Sequence, residues 1–178
     1  LVLSELKLDL AKSQTPSKTQ PLAIKAVRSS FTQEGFSAEA VVDGKLHYFG
    51  GLMADRATDS NDHWILDLED WATGSATWAN AAPMPVPRNQ FSTVVVDGKI
   101  YAIGGQFHHD SMQLDQPRTD IYDPDTGTWS SGPDLPKGHS HAEGATFVHD
   151  DKIYMVGGHT TPAGGTKSQD PDILSLAN

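Results

Sequence analysis

Side chains able to do polar chemistry gather in the second half of the chain: His108-His109-Asp110, then His139 and His141 with Glu143, then His159. Imidazole can donate, accept, bind a proton near neutral pH or ligate a metal. Arg88 adds a permanent cation, and Gln106 an amide that both donates and accepts. These nine residues form a candidate binding set for a sugar, a peptide or a metal ion. A metal site needs two or three ligands that converge. The ligand types are present without diagnostic spacing, so no metal is assigned. Asp55, Asp59 and Asp62 lack the Asp/Asn-Gly pattern of an EF-hand and read as a solvated loop. The chain has no cysteine, which excludes thiol catalysis and disulfides. No nucleophile-and-base motif or phosphate loop appears. No catalytic residue and no cofactor are therefore assigned.

What positions these residues is a repeat. Val41–Gly51, Val95–Gly105 and Val148–Gly158 align over their whole length, and each ends in a Gly pair. The first glycines are 54 and then 53 residues apart (104 − 50; 157 − 104). Each segment reads as a β-hairpin: a β-branched strand, a two-residue turn at Asp43-Gly44 or Asp97-Gly98, and a second apolar strand. Asp151 stands where the third turn should have glycine, and Asp tolerates positive φ better than most residues. After the second hairpin, Thr119–Asp123 reads as a third strand and Thr128-Trp129 opens a fourth. Trp64–Asp67 and Thr77-Trp78 do the same after the first. Proline-rich Met84–Pro87 and Leu135–Lys137 break the sheet and lead on to the next unit.

A repeat of about 50 residues ending in a Gly pair resembles the kelch family of β-propellers, including the propeller of galactose-oxidase-type proteins. The residues that carry the resemblance are the Gly pairs, Tyr101 and Tyr154 three residues before them (His47 departs), Tyr122-Asp123-Pro124, Trp78 and Trp129. The resemblance implies an all-β, partial kelch-type propeller of about three four-stranded antiparallel blades. Residues 1–32 read as strands three and four of a preceding blade, 33–87 and 88–137 as whole blades, and 138–178 as a blade with three of its strands. Propellers close with about 4 to 8 blades. The remaining blades are therefore expected from a continuation of the polypeptide, a companion chain or a second copy.

Strand parity then gives geometry. The loops 52–62, 106–119 and 159–170 share one face with the connectors 82–89 and 133–142, at the mouth of the central channel. Arg88 and His141 each lie 17 residues before the second glycine of a pair (105 − 88; 158 − 141), and Gln106 and His159 each directly follow one. The mouth residues read either as a ligand rim or, for Arg88, His139 and His141, as braces for loop carbonyls. Trp78 and Trp129 are expected between blades, and Trp71 at the surface. Ala38, Ala40, Ser92, Ala142 and Ala145 suit a crowded axis.

With 13 basic and 23 acidic residues the formal charge is −10, which repels phosphate backbones and argues against nucleic acid and anionic membrane as partners. No apolar run reaches the roughly 18 residues of a membrane span. The chain begins at Leu1 without a signal-peptide pattern and reads as a processed chain or an internal fragment. The leading functional expectation is a non-catalytic kelch module that binds a protein, peptide or glycan. Its acidic, cysteine-free composition resembles secreted bacterial propellers and so implies an extracellular location. One alternative is a carbohydrate-active enzyme of the sialic-acid-epimerase kind, using Arg and Glu near the channel. The Tyr–Cys crosslink of galactose oxidase cannot form here. A second alternative is a purely structural subunit.

Overall fold

The computed structural model describes residues 38–108, 114–161, 168–170 and 172–177. The strand pair expected within residues 1–32 lies outside them. The first sheet contains β1 (Ala38–Val42), β2 (Lys45–Phe49), β3 (His63–Asp67) and β4 (Ala79–Asn80), paired in chain order. The helix α1 (Leu68–Thr73) sits between β3 and β4. Its cause is local: the Asp67 side chain caps the Glu69 and Asp70 N–H groups, and Gly74 closes the helix in the left-handed region.

The second sheet contains β5 (Ser92–Val96) and β6 (Lys99–Ile103). A short excursion, β7 (Gln106–Phe107) paired with β8 (Leu114–Asp115), precedes β9 (Thr119–Asp123) and β10 (Thr128–Ser131). The third contains β11 (Thr146–His149) and β12 (Lys152–Val156). The excursion β13 (His159–Thr160) with β14 (Ser168–Gln169) leads to β15 (Ile173–Ala177). All pairings within the three sheets are antiparallel. β5 lies against both β1 and β11, so the first strands line a common axis. Ala40, Ser92 and Ala142 are buried, as that crowding requires.

All three hairpin turns hold both central residues at positive φ: 49° and 72° at Asp43-Gly44, 48° and 73° at Asp97-Gly98, and 45° and 56° at Asp150-Asp151. That is the type I′ geometry matching strand twist. The third turn keeps it without glycine.

Alternation along each strand sends side chains to opposite sheet faces, and two apolar layers result. Ala40, Val42 and Phe49 of the first sheet meet Ile100, Ala102 and Tyr122 of the second. Val94, Val96 and Ile103 of the second meet Ile153, Met155, Leu174 and Leu176 of the third. Each buried Val, Leu, Ile, Phe or Met among them contributes about 2 kcal/mol by leaving water. Trp129 packs between the first two sheets, 5.4 Å from the Phe49 ring and 5.7 Å from His63. Trp78, its counterpart in the first blade, is 39% exposed and meets Tyr48 at 6.3 Å edge to face. Trp71 is exposed on α1, as expected.

One layer holds a buried polar chain. The Ala82 carbonyl accepts from Trp129 Nε1–H at 2.9 Å and from His63 Nδ1–H at 3.0 Å. His63 Nε2 is then the acceptor for His47 Nδ1–H, 3.0 Å away. His47 Nε2 is buried and finds no partner among the described residues. Protonating either ring puts a cation in an apolar layer. Burial, with the neighbouring His63 and Lys45, pushes His47 down to about 4, and burial lowers His63 as well.

Two predictions arise here. The unfolded chain takes up imidazole protons as pH falls through about 6.5, before the folded chain does, so stability conferred by neutral His47 is lost between about pH 6.5 and 4. His47→Tyr, the residue type of the other two blades, should flatten thermal stability against pH over that window. An unchanged slope would show that this pair does not govern it. Asp151→Gly relieves a side chain at φ 56°. It should raise the midpoint of thermal unfolding by roughly 2–4 °C, the shift for about 1 kcal/mol in a chain of this size.

Candidate functional site

The connectors before the second and third blades each form a lead-in dipeptide that joins two blades by backbone hydrogen bonds. The Arg88 carbonyl accepts from Gly51 N–H of the first blade at 3.0 Å. The next residue, Asn89, exchanges two hydrogen bonds with Gln106 of the second blade, at 3.1 and 2.8 Å. One blade on, the His139 carbonyl accepts from Gly105 N–H at 2.8 Å, and Ser140 exchanges bonds of 2.9 and 2.7 Å with His159. The glycines are needed because the lead-in passes so close. A Cβ on Gly104 would collide with the His139 carbonyl, and one on Gly50 would lie 2.6 Å from the Phe91 ring.

This register makes His139 the counterpart of Arg88. The equal count of 17 residues had pointed to His141. Glu143–Ala145 forms a turn of 3-10 helix between the lead-in and β11. His139 therefore lies 19 residues before Gly158, two more than Arg88 before Gly105.

Each lead-in also donates a side-chain hydrogen bond to an acid of the preceding blade. Asn89 Nδ2 donates to Asp59 Oδ1 at 2.5 Å, and Ser140 Oγ donates to Asp115 Oδ1 at 2.5 Å. Asp59 bridges to Leu52, and Asp115 pairs with Gln106, so the two acids hold the same place opposite the residue after a Gly pair. Asp59 Oδ2 also accepts from the His108 N–H at 3.1 Å, and Asp115 Oδ2 from Thr161 Oγ1 at 2.6 Å. Gln106 Nε2 donates to Asn89 Oδ1 at 3.0 Å.

Arg88 lies beneath this rim with no exposure. Its guanidinium donates to the carbonyls of Gly104 at 2.8 Å, Ala102 at 2.9 Å and Val86 at 3.2 Å, and pairs with Asp120 at 2.6 Å. Arg118 holds the same carboxylate from the other side at 2.6 Å. Arg88 is a brace for carbonyls, and its charge is balanced inside the fold. His139 is likewise buried, its Nε2 3.6 Å from Asp170. Burial lowers its pKa against the pull of Asp170. Burial alone would raise Asp170, but Lys137, at 3.0 Å, and the Asp172 N–H outweigh that and leave it below the usual carboxylate range.

The structure thus divides the nine candidates. Gln106 and His108 join Asn89 and Asp59 between the first two blades. His141 and His159 meet between the second and third, their ring centroids 4.4 Å apart. Glu143 is exposed on the short helical turn, and His108 is exposed beside its loop. His109 and Asp110 lie outside the described residues.

Asp115, Ser140 and His141 carry the residue types of a hydrolytic triad in the wrong order. The Ser140 proton goes to Asp115, so His141 Nδ1–H donates to Ser140 Oγ at 2.7 Å. In a triad the imidazole lies between acid and hydroxyl. Ser140 is also 1% exposed. The arrangement orients a ring and supplies no nucleophile. Among the described residues, no group of three or more His, Cys, Asp or Glu could hold a metal ion.

Above the braces sit the loops. Asp55 accepts from the Ala57 and Thr58 N–H groups and from Thr58 Oγ1, which draws its pKa to about 2 and ties the first loop into one shape. Met53, in that loop, is 50% exposed, and Leu114, in the second, 47%. Neither was singled out from sequence. A lone methionine or leucine in a polar loop gives no signal until the loop is placed.

Comparison with known proteins agrees with this architecture. The KLHDC2/KLHL20/DRC7 Kelch-repeats domain matches residues 8–171. Kelch-like protein terF of Aspergillus terreus is 34% identical over 122 residues, which cover 68% of this chain and 26% of that protein. Spermatocyte protein spe-26 of Caenorhabditis elegans is 34% identical over 131 residues, covering 71% and 21%. Among solved structures, YjhT superposes with a TM-score of 0.54 at 25% identity, over 71% of this chain and 34% of its own. The chain spans about a quarter or less of these curated relatives. On its repeats, its interlocked sheets and these matches, the chain belongs to the kelch-repeat family and forms part of a β-propeller.

Proposed function

We propose that this chain is a non-catalytic protein-interaction module whose mouth loops bind a peptide segment of a partner protein. The observation that carries the reading is the contrast between the loops and their foundation. At the base, Arg88, Asn89, Gln106, His139 and Ser140 are buried and committed to holding blades together. Above it, Met53, next to the Leu52–Asp59 bridge, and Leu114, in β8, present apolar side chains to water on segments held by backbone hydrogen bonds. Loops on a rigid scaffold bind with little ordering cost, and flexible apolar side chains can fit varied surfaces. Kelch-like relatives such as Kelch-like protein 33 and Kelch repeat and BTB domain-containing protein 12 of Homo sapiens support an interaction role, because they share the scaffold that presents such loops.

A displayed library of random peptides, selected against the full chain, tests this. Peptides recovered on the wild-type chain should bind the Met53→Ser/Leu114→Ser variant at least tenfold more weakly, about 1.4 kcal/mol, with an unchanged unfolding midpoint. Unchanged affinity, or no recovered peptide, would overturn the reading.

A further inference from the structure

The first blade carries a segment that no joint between blades uses. Continuing the β3–β4 register from Ile65 opposite Ala79 sets Thr77 opposite Asp67, as Thr128 stands opposite Asp123. Residues 68–76 therefore take the place of residues 124–127. In the second blade that short turn reverses the chain by itself, with Gly127 N–H donating to the Asp123 carbonyl at 2.8 Å. The longer version contains α1, and no residue of α1 is buried. Chain reversal does not require the helix, and packing does not explain it.

α1 is nevertheless tied down at both ends. Leu68 N–H donates to the Gly44 carbonyl at 3.0 Å, and Asp67 caps the first turn. Ser75 N–H and Thr73 Oγ1 both donate to the Asp70 carbonyl, at 3.0 and 2.9 Å. Six residues are too few for a helix to persist by propensity alone, so these bonds matter. What they hold in place is one large side chain, Trp71, 45% exposed. Glu69 and Asp70 precede it on the helix and are exposed, and Asp43 is exposed on the hairpin turn that α1 adjoins through Gly44. No Lys or Arg lies within α1. Acids in a first helical turn suit the helix dipole and alone would assign nothing. An indole fixed in water has no such explanation, because its apolar area is stabilising only when covered.

We propose that α1 is a docking surface for a basic segment of a partner protein. An arginine or lysine of that segment lies over the Trp71 ring, and neighbouring cations meet Glu69 and Asp70. Charge selects the occupant. A formal charge of −10 repels a second copy of the chain and any anionic partner. The face of an indole attracts a cation, and carboxylates alongside it favour a cation over an uncharged apolar side chain. The surface is also separate from the mouth. Lys45 and Asp67 close one end of the β2–β3 ladder, from which α1 leaves, and Phe49 and His63 close the other, from which the loop of Met53 leaves. Docking on α1 therefore does not rest on what the mouth binds, and the chain can hold one segment on each side.

The probe is a displayed library of random peptides selected against the full chain. Recovered peptides that still bind the Met53→Ser/Leu114→Ser variant report on α1, so this proposal and the mouth reading can fail separately. Those peptides should be rich in Arg and Lys. They should bind Trp71→Ala, which keeps a helix-favouring residue, at least tenfold more weakly, and Trp71→Phe should recover part of that loss. Glu69→Gln/Asp70→Asn should weaken binding as well and flatten its decline with added salt. An absence of such peptides, or peptides without basic residues, would overturn the proposal. So would unchanged affinity on Trp71→Ala, which would leave only diffuse attraction to an acidic chain. A graft tests the structural alternative. Replacing residues 68–76 by the second blade's residues 124–127 should abolish binding of these peptides and leave the unfolding midpoint where it was. A midpoint lowered by several degrees would show that α1 supports the fold, and would refute the docking role.

Discussion

A carbonyl from one blade resting on a glycine N–H of its neighbour is the interaction on which this architecture turns. A four-stranded sheet with apolar faces must be covered on both sides, and covering alone does not fix the angle between sheets. Arg88 O on Gly51 N–H and His139 O on Gly105 N–H fix it, because a backbone hydrogen bond tolerates little drift in distance. The Gly pair is the local cost of that contact. A lead-in strand can approach another backbone this closely only where no Cβ intervenes. The most recognisable motif in the sequence is therefore the imprint of an inter-blade joint, which is why it reports fold so well and ligand so poorly.

The same joint explains why the mouth resembles an active site. Where three backbone segments converge, carbonyls and N–H groups must be satisfied out of water. Arg88 supplies four donor contacts to that end, and Asp120, shared with Arg118, balances the charge. Replacing Asp120 would leave the buried Arg88 cation without its counter-ion, at about 3–5 kcal/mol. Asp59 and Asp115 do corresponding work for Asn89 and Ser140. Buried His, Asp, Ser and Arg at a channel are ordinarily good grounds for suspecting chemistry. Here Asn89–Asp59 and Ser140–Asp115 tie blade to blade, while Arg88 and Asp120 are spent on carbonyls and on each other within the second blade.

How much of this could be read from residues alone depended on whether the signal was periodic. The Gly pairs, the Asp-Gly turns and the Trp positions recur at near-constant spacing, so the three sheets, their strand order and the loop-bearing face were legible. Asp59 and Asp115 hold equivalent places, yet they lie seven and nine residues after Leu52 and Gln106, and alignment by counting cannot pair them. Two extra residues in the helical turn at Glu143–Ala145 misled the same method over His139 and His141. α1 arises from a capping aspartate and a closing glycine, a local signal that does not recur in the other repeats. Loop lengths vary freely because lengthening a surface loop costs little. Equivalence there exists only in space.

That division also says where a propeller of this kind can change. The lead-in carries Arg88-Asn89 in one copy and His139-Ser140 in the next, so even within one chain the joint accepts different side chains so long as the backbone contact survives. His47, beside Tyr101 and Tyr154 at the same repeat position, shows an apolar layer accepting a polar pair once Ala82 offers an acceptor. The backbone geometry is what each new blade must match, and the loops above it are bound only at their roots. Exposed side chains in these segments, Met53 and Leu114 among them, can therefore be exchanged without disturbing a single inter-blade hydrogen bond. A scaffold with that property can acquire partners by altering its loops alone, with the joints between blades left as they are.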